Sequence, residues 1–303
     1  IMPSLVGSEM CIRDRLWVIP FISIMLSKDL LCTYRKQGFI IGPHETEENF
    51  LQRVHLCKDL LPESFFPIPS PKIFNKTQIL SLLTHNTLYQ HKKYENLLAT
   101  FSWIPIFVSN YKLPFWIGGV VWICSEDNVT VPILQLRRHF GKRHRINLYL
   151  PEEICMHEAL HAMRTTFEEP KFEEFLAYST SPGFLHKWLG PLFQTSLEST
   201  IFLICLLLGS LGSFFSYLAI LPFLLYLAFL TLRLYSRHKV MSACMKNLKR
   251  LFPKIDAFSI VIHLTDKEIL QFSKMSQKEL SLYIRGRCCP RWRQISTLVD
   301  PEN

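Results

Sequence analysis

Two histidines four positions apart, His157 and His161, with Glu158 beside the first, are the residues of this chain whose types and spacing can do chemistry. On an α-helix, residues i and i+4 lie on one face, so both imidazoles can offer a nitrogen to a single ion. Zinc accepts such nitrogen donors in a tetrahedral shell, and a catalytic site leaves one position open for water. Glu158 sits one step round the helix and cannot join that face as a ligand. It can reach the water in the open position and take its proton, which makes it the candidate catalytic residue. The pair needs a third ligand, and five residues are too few to define a site without the elements around them.

Those elements are readable. Pro151-Glu152-Glu153 is a helix start, with proline at the first helical position and carboxylates on the positive end of the dipole. The helix carries Ile154 to about Phe167, and Glu169-Pro170 breaks it. A second helix, Lys171 to Ser179, stops at Ser181-Pro182-Gly183 and brings two carboxylates, Glu173 and Glu174. Arg164 can pair with Glu168 or orient a ligand glutamate, although a plain surface ion pair is the more frequent outcome for such a residue. Glu168 and Glu169 read as helix-end solvation, and Tyr178 and His186 are the nearest candidate donors to a developing oxyanion.

The run His157-Glu158-Ala159-Leu160-His161-Ala162-Met163-Arg164, followed by Glu173-Glu174-Phe175-Leu176-Ala177-Tyr178, resembles the gluzincin pattern of zinc metallopeptidases. The resemblance covers about residues 130 to 180, and the chain as a whole is similar to uncharacterised bacterial membrane proteins bearing this helix. It implies Zn²⁺ as cofactor, Glu174 as third ligand in a Glu-x-x-Ala setting, and hydrolysis of a peptide or protein substrate. The interval from His161 is short for the group, and Tyr178 stands where an aspartate is usual, so Glu173 stays open beside Glu174.

Upstream of the helix, Trp103 to Ser109, Trp116 to Cys124, Val129 to Leu136 and Ile146 to Leu150 are short β-type runs, which predict a small, mostly antiparallel sheet. Pro132 in the third run argues for an edge strand, because proline cannot donate to a ladder. An edge strand beside the helix would suit an extended substrate by strand addition. Helical patterns follow Gly42-Pro43 and span Thr77 to Thr100, separated by the proline-rich stretch Pro62 to Pro71. His85, His91, His139 and His144 lack ligand spacing and read as solvated.

The block Ser199 to Leu232 has no charged residue over 34 positions. Two tightly joined membrane helices fit it best, with a single tilted helix, a re-entrant hairpin or a buried soluble hairpin as the other readings. Lys187 precedes the block, and Arg233, Arg237, Lys239, Lys246, Lys249 and Arg250 follow it. The positive-inside bias therefore places both flanks, and the catalytic domain, in the cytoplasm of a bacterial inner membrane. Nine cysteines without a Cys-x-x-Cys pair read as reduced thiols. The net charge of +9 is spread along the chain and gathers after the apolar block, which points to a lipid bilayer rather than nucleic acid as partner.

The fold class expected is therefore α+β. A zincin-like domain, built from the sheet, the metal helix and the glutamate helix, is followed by a transmembrane hairpin. By residue, 1-15 reads as an artefactual end, since it lacks an initiating Met and looks like translated adaptor DNA. Residues 16-100 form an N-terminal helical region, 101-196 the catalytic domain, 197-235 the hairpin and 236-303 a basic helical tail. Capping residues begin tail helices at Thr265 or Asp266 and at Ser276, and the stretch Arg285 to Arg293 reads as solvated. The competing function is a non-catalytic zinc-binding membrane adaptor or assembly protein.

Overall fold

The computed structural model describes residues 26–59, 103–104, 106–113, 117–126, 129–138 and 151–299. The N-terminal end before Leu26, the stretch 62–71, the helix expected over 77–100, the strand Ile146 to Leu150 and His85, His91, His139 and His144 lie outside them. The described chain is mostly helical with one small sheet.

Helix α1 (Lys28–Lys36) is capped by Ser27, whose hydroxyl accepts from Leu30 N–H at 3.2 Å. The chain then buries Phe39, Ile40 and Ile41 and enters α2 (Glu47–Asp59), where Thr46 accepts from Asn49 N–H. Three strands follow: β1 (Ile106–Val108), β2 (Gly119–Glu126) and β3 (Val129–Leu136), in the order β1-β3-β2. β2 and β3 are antiparallel over their whole length, whereas β1 runs parallel to β3.

The edge assignment from Pro132 is corrected, because β3 is the middle strand. Hydrogen bonding alternates along it: Arg137 N–H goes to Gly118 on the β2 side, while Leu136 C=O accepts from Ser109 on the β1 side. With that period of two, Pro132 faces the β1 side. β1 pairs only with Leu134 to Leu136, so among the described residues no ladder bond is demanded at the proline.

Helix α3 (Pro151–Met163) lies across β2 and β3, and α4 (Pro170–Ser179) packs beside it. The two helices bury Leu160, Ala162, Phe172, Leu176 and Ala177 completely. Each large one of these contributes about 1.5–3 kcal/mol by leaving water. A short helix α5 (Phe184–Leu189) and a 3₁₀ turn (Gly190–Leu192) lead into α6 (Ser196–Gly212). A second 3₁₀ turn (Tyr217–Ile220) opens α7 (Leu221–Leu251).

Helices α6 and α7 pack as a hairpin whose large apolar side chains face outward, with Phe214 85%, Phe215 95% and Tyr217 81% exposed. The helical run Tyr217–Leu251 is long and apolar enough to cross a membrane. Its second half is different in kind: Met241, Cys244 and Leu248 are buried in the main core.

The C-terminal helices α8 (Ala257–Val261), α9 (Asp266–Phe272), α10 (Gln277–Arg285) and α11 (Pro290–Val299) close the structure. Capping boxes open α9 at Thr265/Glu268 and α10 at Ser276/Glu279.

The reading of Arg285 to Arg293 as a solvated tail is corrected at its end. Arg291 and Trp292 are buried, and Arg291 binds Glu268 through both guanidinium nitrogens at 2.7 Å. α11 also lies against α1: Gln294 accepts from Ile41 N–H and donates to Phe39 C=O, and Arg293 pairs with Glu47. The first and last helices thus share one core, so 236-303 is no appendage. Cys32, Cys57, Cys155, Cys205, Cys244, Cys288 and Cys289 are free thiols.

Candidate metal centre

His157 and His161 project from one face of α3, as their spacing requires, and α4 brings Glu174 against them. The Nε2 atoms of the two histidines are 3.2 Å apart. One Glu174 oxygen lies 3.5 Å from Nε2 of His157 and the other 3.6 Å from Nε2 of His161. Bonds of about 2.1 Å at tetrahedral angles separate ligand atoms by about 3.4 Å, close to each of these distances, and one ligand atom from each residue can be chosen with all three within 4.8 Å of one another. The side chains of His157, His161 and Glu174 keep 13%, 14% and 29% of their surface open, which leaves a side from which water can reach the group.

The two adjacent glutamates do different things. Glu174 turns toward both Nε2 atoms, while Glu173 turns away from them. One Glu173 oxygen lies 3.2 Å from Nδ1 of His161, and the other accepts from Nε of Arg164 at 2.8 Å. A carboxylate there calls for the proton on Nδ1, so that when the ring is neutral the Nε2 lone pair is directed toward His157 and Glu174. His157 has no such orienting partner, and its Nδ1 is buried without a hydrogen bond among the described residues.

Arg164 is not the surface ion pair its sequence position suggested. It is 1% exposed, holds Glu173 rather than Glu168, and donates to the carbonyls of Ile262 and Leu264 at 2.5 and 3.2 Å. Its guanidinium lies 4.1 Å over the Phe167 ring centroid.

The start of α4 is held from a distance as well. Lys171 and Phe172 N–H donate to the two oxygens of Asp266 at 2.9 and 3.1 Å, and Asp266 N–H donates back to Glu169 at 2.5 Å. Glu169, read from sequence as solvation of a helix end, is half of a reciprocal cap made with another helix.

Glu158 lies toward β2. The Val121 backbone N–H donates to its carboxylate. Val121 stands opposite Leu134, which hydrogen-bonds toward β1, so Val121's own N–H points to the outer edge of β2. Close approach here depends on Gly118 and Gly119. A Cβ on Gly119 would stand 3.1 Å from Cγ of Glu158, and one on Gly118 would stand 2.6 Å from Ile154 Cδ1.

Protons are strongly redistributed within the cluster. Burial pushes the Glu158 carboxyl up to about 7, with Glu174 adding to the effect and His161 and the Val121 N–H opposing it. Burial, then the charge on His161, holds His157 well below the ordinary imidazole range. Burial also works against charge on His161, but Glu174, Glu173 and Glu158 outweigh it and lift His161 to about 9. Burial raises Glu174, whereas at Glu173 Arg164 and His161 overcome burial and keep the carboxyl below its usual range. Two imidazoles that cannot both be charged, facing acids that resist ionisation, form a group whose conflicting demands a divalent cation would meet.

Of the two oxyanion candidates, Tyr178 packs its ring edge-on to His157, 4.5 Å between centroids. His186 is held 2.6 Å from the Glu153 carboxylate, one turn before His157 on α3. A Cβ on Gly190 would fall 2.2 Å from the Tyr178 ring, so glycine there lets the ring seat against the chain. The structure thus brings together His157, His161, Glu158, Glu173, Glu174, Arg164 and Tyr178. Val121, Asp266 and Gly190 were missed as parts of the site: a backbone N–H leaves no residue signature, and Asp266 was read as a possible start of its own helix.

Compared with protein-family models, with curated proteins and with solved structures, the chain matches none.

Proposed function

We propose that this chain is a membrane-anchored zinc peptidase of the gluzincin kind, with His157, His161 and Glu174 holding the metal and Glu158 as general base. The observation that carries the reading is the close approach of His157, His161 and Glu174, with the Nε2 atoms 3.2 Å apart and the two Glu174 oxygens 3.5 and 3.6 Å from them, together with a neighbouring glutamate that orients one histidine. When bound, zinc supplies a Lewis acid and brings the acidity of a water to about pKa 7.

The chain's own residues do the rest. Glu158, kept near neutrality by burial and held by Val121 N–H, takes a proton at its carboxylate and returns it to the departing amine. The outer edge of β2 beside it, unpaired with any other strand among the described residues, offers backbone groups to an extended peptide. Arg164 and Glu173 keep His161 turned to the metal.

The exposed apolar hairpin anchors the protein in the bilayer. The 17 residues of α6 span roughly 25 Å, close to a hydrocarbon core of about 30 Å. Basic residues at its base support a catalytic domain on the cytoplasmic side of a bacterial inner membrane.

The test is metal analysis of the purified full chain and of His161→Ala, joined to cleavage of a mixed fluorogenic peptide set by the wild type and Glu158→Gln. Zinc should be present in the wild type and lost in His161→Ala. Glu158→Gln should keep it while losing about 10²–10⁴-fold in cleavage rate. Absence of zinc from both proteins would sink the metal reading. Zinc without any Glu158-dependent cleavage would favour the non-catalytic adaptor instead.

A further inference from the structure

Helix α5 (Phe184–Leu189) is six residues long and buries none of its side chains. Phe184, Leu185, Trp188 and Leu189 are 75%, 66%, 43% and 45% exposed, an apolar surface of a kind that a water-facing helix rarely keeps. Three further observations say what covers it.

The first is direction. The segment Phe184–Leu192 is bent by 86° from Leu197–Gly212. An element perpendicular to a hairpin that enters the bilayer along its normal lies in the bilayer plane. The second is charge. From Phe184 to Lys239 the sequence holds one acid, Glu198, against Lys187, Arg233, Arg237 and Lys239, so the hairpin base carries a net positive charge. Anionic head groups complement that excess. The third is aromatic placement. Trp188 stacks on His238 at 5.4 Å, and Tyr235 is 62% exposed at the same end of the hairpin, as in the aromatic belts of membrane interfaces.

We propose that α5 lies in the head-group layer as a second membrane contact, with anionic phospholipid as its partner. The proposal rests on the reading of α6 and α7 as a membrane hairpin, but not on zinc or on peptidase activity. Its consequence for the site is geometric. His186 ties α5 to Glu153 on α3, and Gly190, just after α5, seats Tyr178 against His157. A helix fixed in the lipid surface therefore holds the metal cluster two side chains away from that surface.

The experiment uses the full chain in vesicles of phosphatidylcholine and phosphatidylglycerol whose acyl chains are brominated near the glycerol end. The Trp188 component of the emission is obtained as the difference between wild type and Trp188→Phe, a change that keeps the stack on His238. The expected result is loss of that component in brominated vesicles and its persistence with aqueous iodide, while alkaline washing leaves the protein in the membrane. Quenching of Trp188 by iodide alone, with the protein still resisting the wash, would overturn the proposal and leave the hairpin standing. Release by the wash would remove the hairpin reading and the proposal with it. Protection from both quenchers would replace lipid by a protein contact. Zinc content, measured on the same samples, should be equal in wild type and Trp188→Phe, so a failure of the metal reading shows separately.

Discussion

The α3–α4 pair and the α6–α7 hairpin are both two-helix units, and they are stabilised in opposite ways. The first is joined to the rest of the chain by directed polar links, from Arg164 to the carbonyls of Ile262 and Leu264 and from Asp266 to the first turn of α4. The second presents leucine and phenylalanine outward, and its links of that kind gather at its base and in the later part of α7, from Arg233 to Glu198 and the Leu192 carbonyl, from Arg237 to Gln194 and from Asn247 to the Phe272 carbonyl. A catalytic constellation must hold its atoms to within about half an ångström, which needs groups of fixed length and direction. An anchor needs only apolar length. The same α7 spans both surroundings, apolar and mostly exposed as far as Leu232 although Leu230 is buried, and in the main core at Met241, Cys244 and Leu248.

The most severe way to break the contrast is to remove Arg164. In Arg164→Ala the Glu173 carboxylate stays buried without its cation and two carbonyls lose their donor. A loss of about 3–5 kcal/mol is expected from a buried pair broken on one side. Chemical denaturation in detergent checks it. Zinc affinity should fall by about 10–100-fold as well, because Glu173 would no longer be held on His161. A loss below about 1 kcal/mol would mean that water replaces the guanidinium, and that the two units are less different than their geometry implies.

How much of this was legible follows from the same contrast. The hairpin lies in the composition of Ser199 to Leu232, and α3 in Pro151-Glu152-Glu153 followed by the i, i+4 histidines, because both signals are local. The extents of α4, α9 and α10 were close for the same reason, each having a proline or capping residue at its start. The division of labour between Glu173 and Glu174 was not legible. Adjacent residues on a helix differ by about 100° in direction, and which of them meets the histidines depends on how α4 is rotated. The first turn of α4 is tied to Asp266, almost a hundred positions away. Pro132 misled because the edge rule concerns one hydrogen bond, whereas the reading applied it to a whole strand. Arg291 and Trp292 misled because basic residues near a chain end usually meet water, and here Glu268 waits for them inside the core.

Asp266→Ala sharpens the comparison at the cap. Losing an oxygen acceptor at a helix start costs about 0.5–2 kcal/mol, and the effect should appear in thermal unfolding. If Asp266 sets the rotation of α4, zinc affinity should weaken too, and Asp266→Asn should restore part of it. An Ala variant that unfolds earlier yet binds zinc like wild type would limit Asp266 to a stabilising role.

A third prediction concerns pH. His263, between the two carbonyls that Arg164 holds, is 2% exposed and bonds only to Ser259 C=O through Nδ1 among the described residues. Burial, then the charges on Arg35, Arg164 and Arg291, lower its pKa to about 3 despite that bond. In the unfolded chain the ring takes a proton near pH 6.5, so between about 6.5 and 3 the unfolded state binds the extra proton. Stability contributed by the neutral ring is therefore full above that window and falls with pH through it, by about 1.4 kcal/mol per unit at most. His263→Gln should flatten the slope between pH 6 and 4 by up to this amount, whatever its effect at pH 8. Equal slopes would place the acid sensitivity in other groups.

The smallest effect is expected in the hairpin, and its smallness is the point. Leu207 is 60% exposed and Leu225 62%, so changing either to serine removes little buried area and opens no cavity. In detergent micelles the unfolding temperature of the remainder should move by no more than about ±0.5 kcal/mol equivalent, the range of surface substitutions. Leu248→Ser, on the same α7 but fully buried in the core, should cost several kilocalories. A large loss at Leu207 or Leu225 would mean that a protein surface covers the hairpin, and α6 and α7 would then belong with α3 and α4 rather than stand against them.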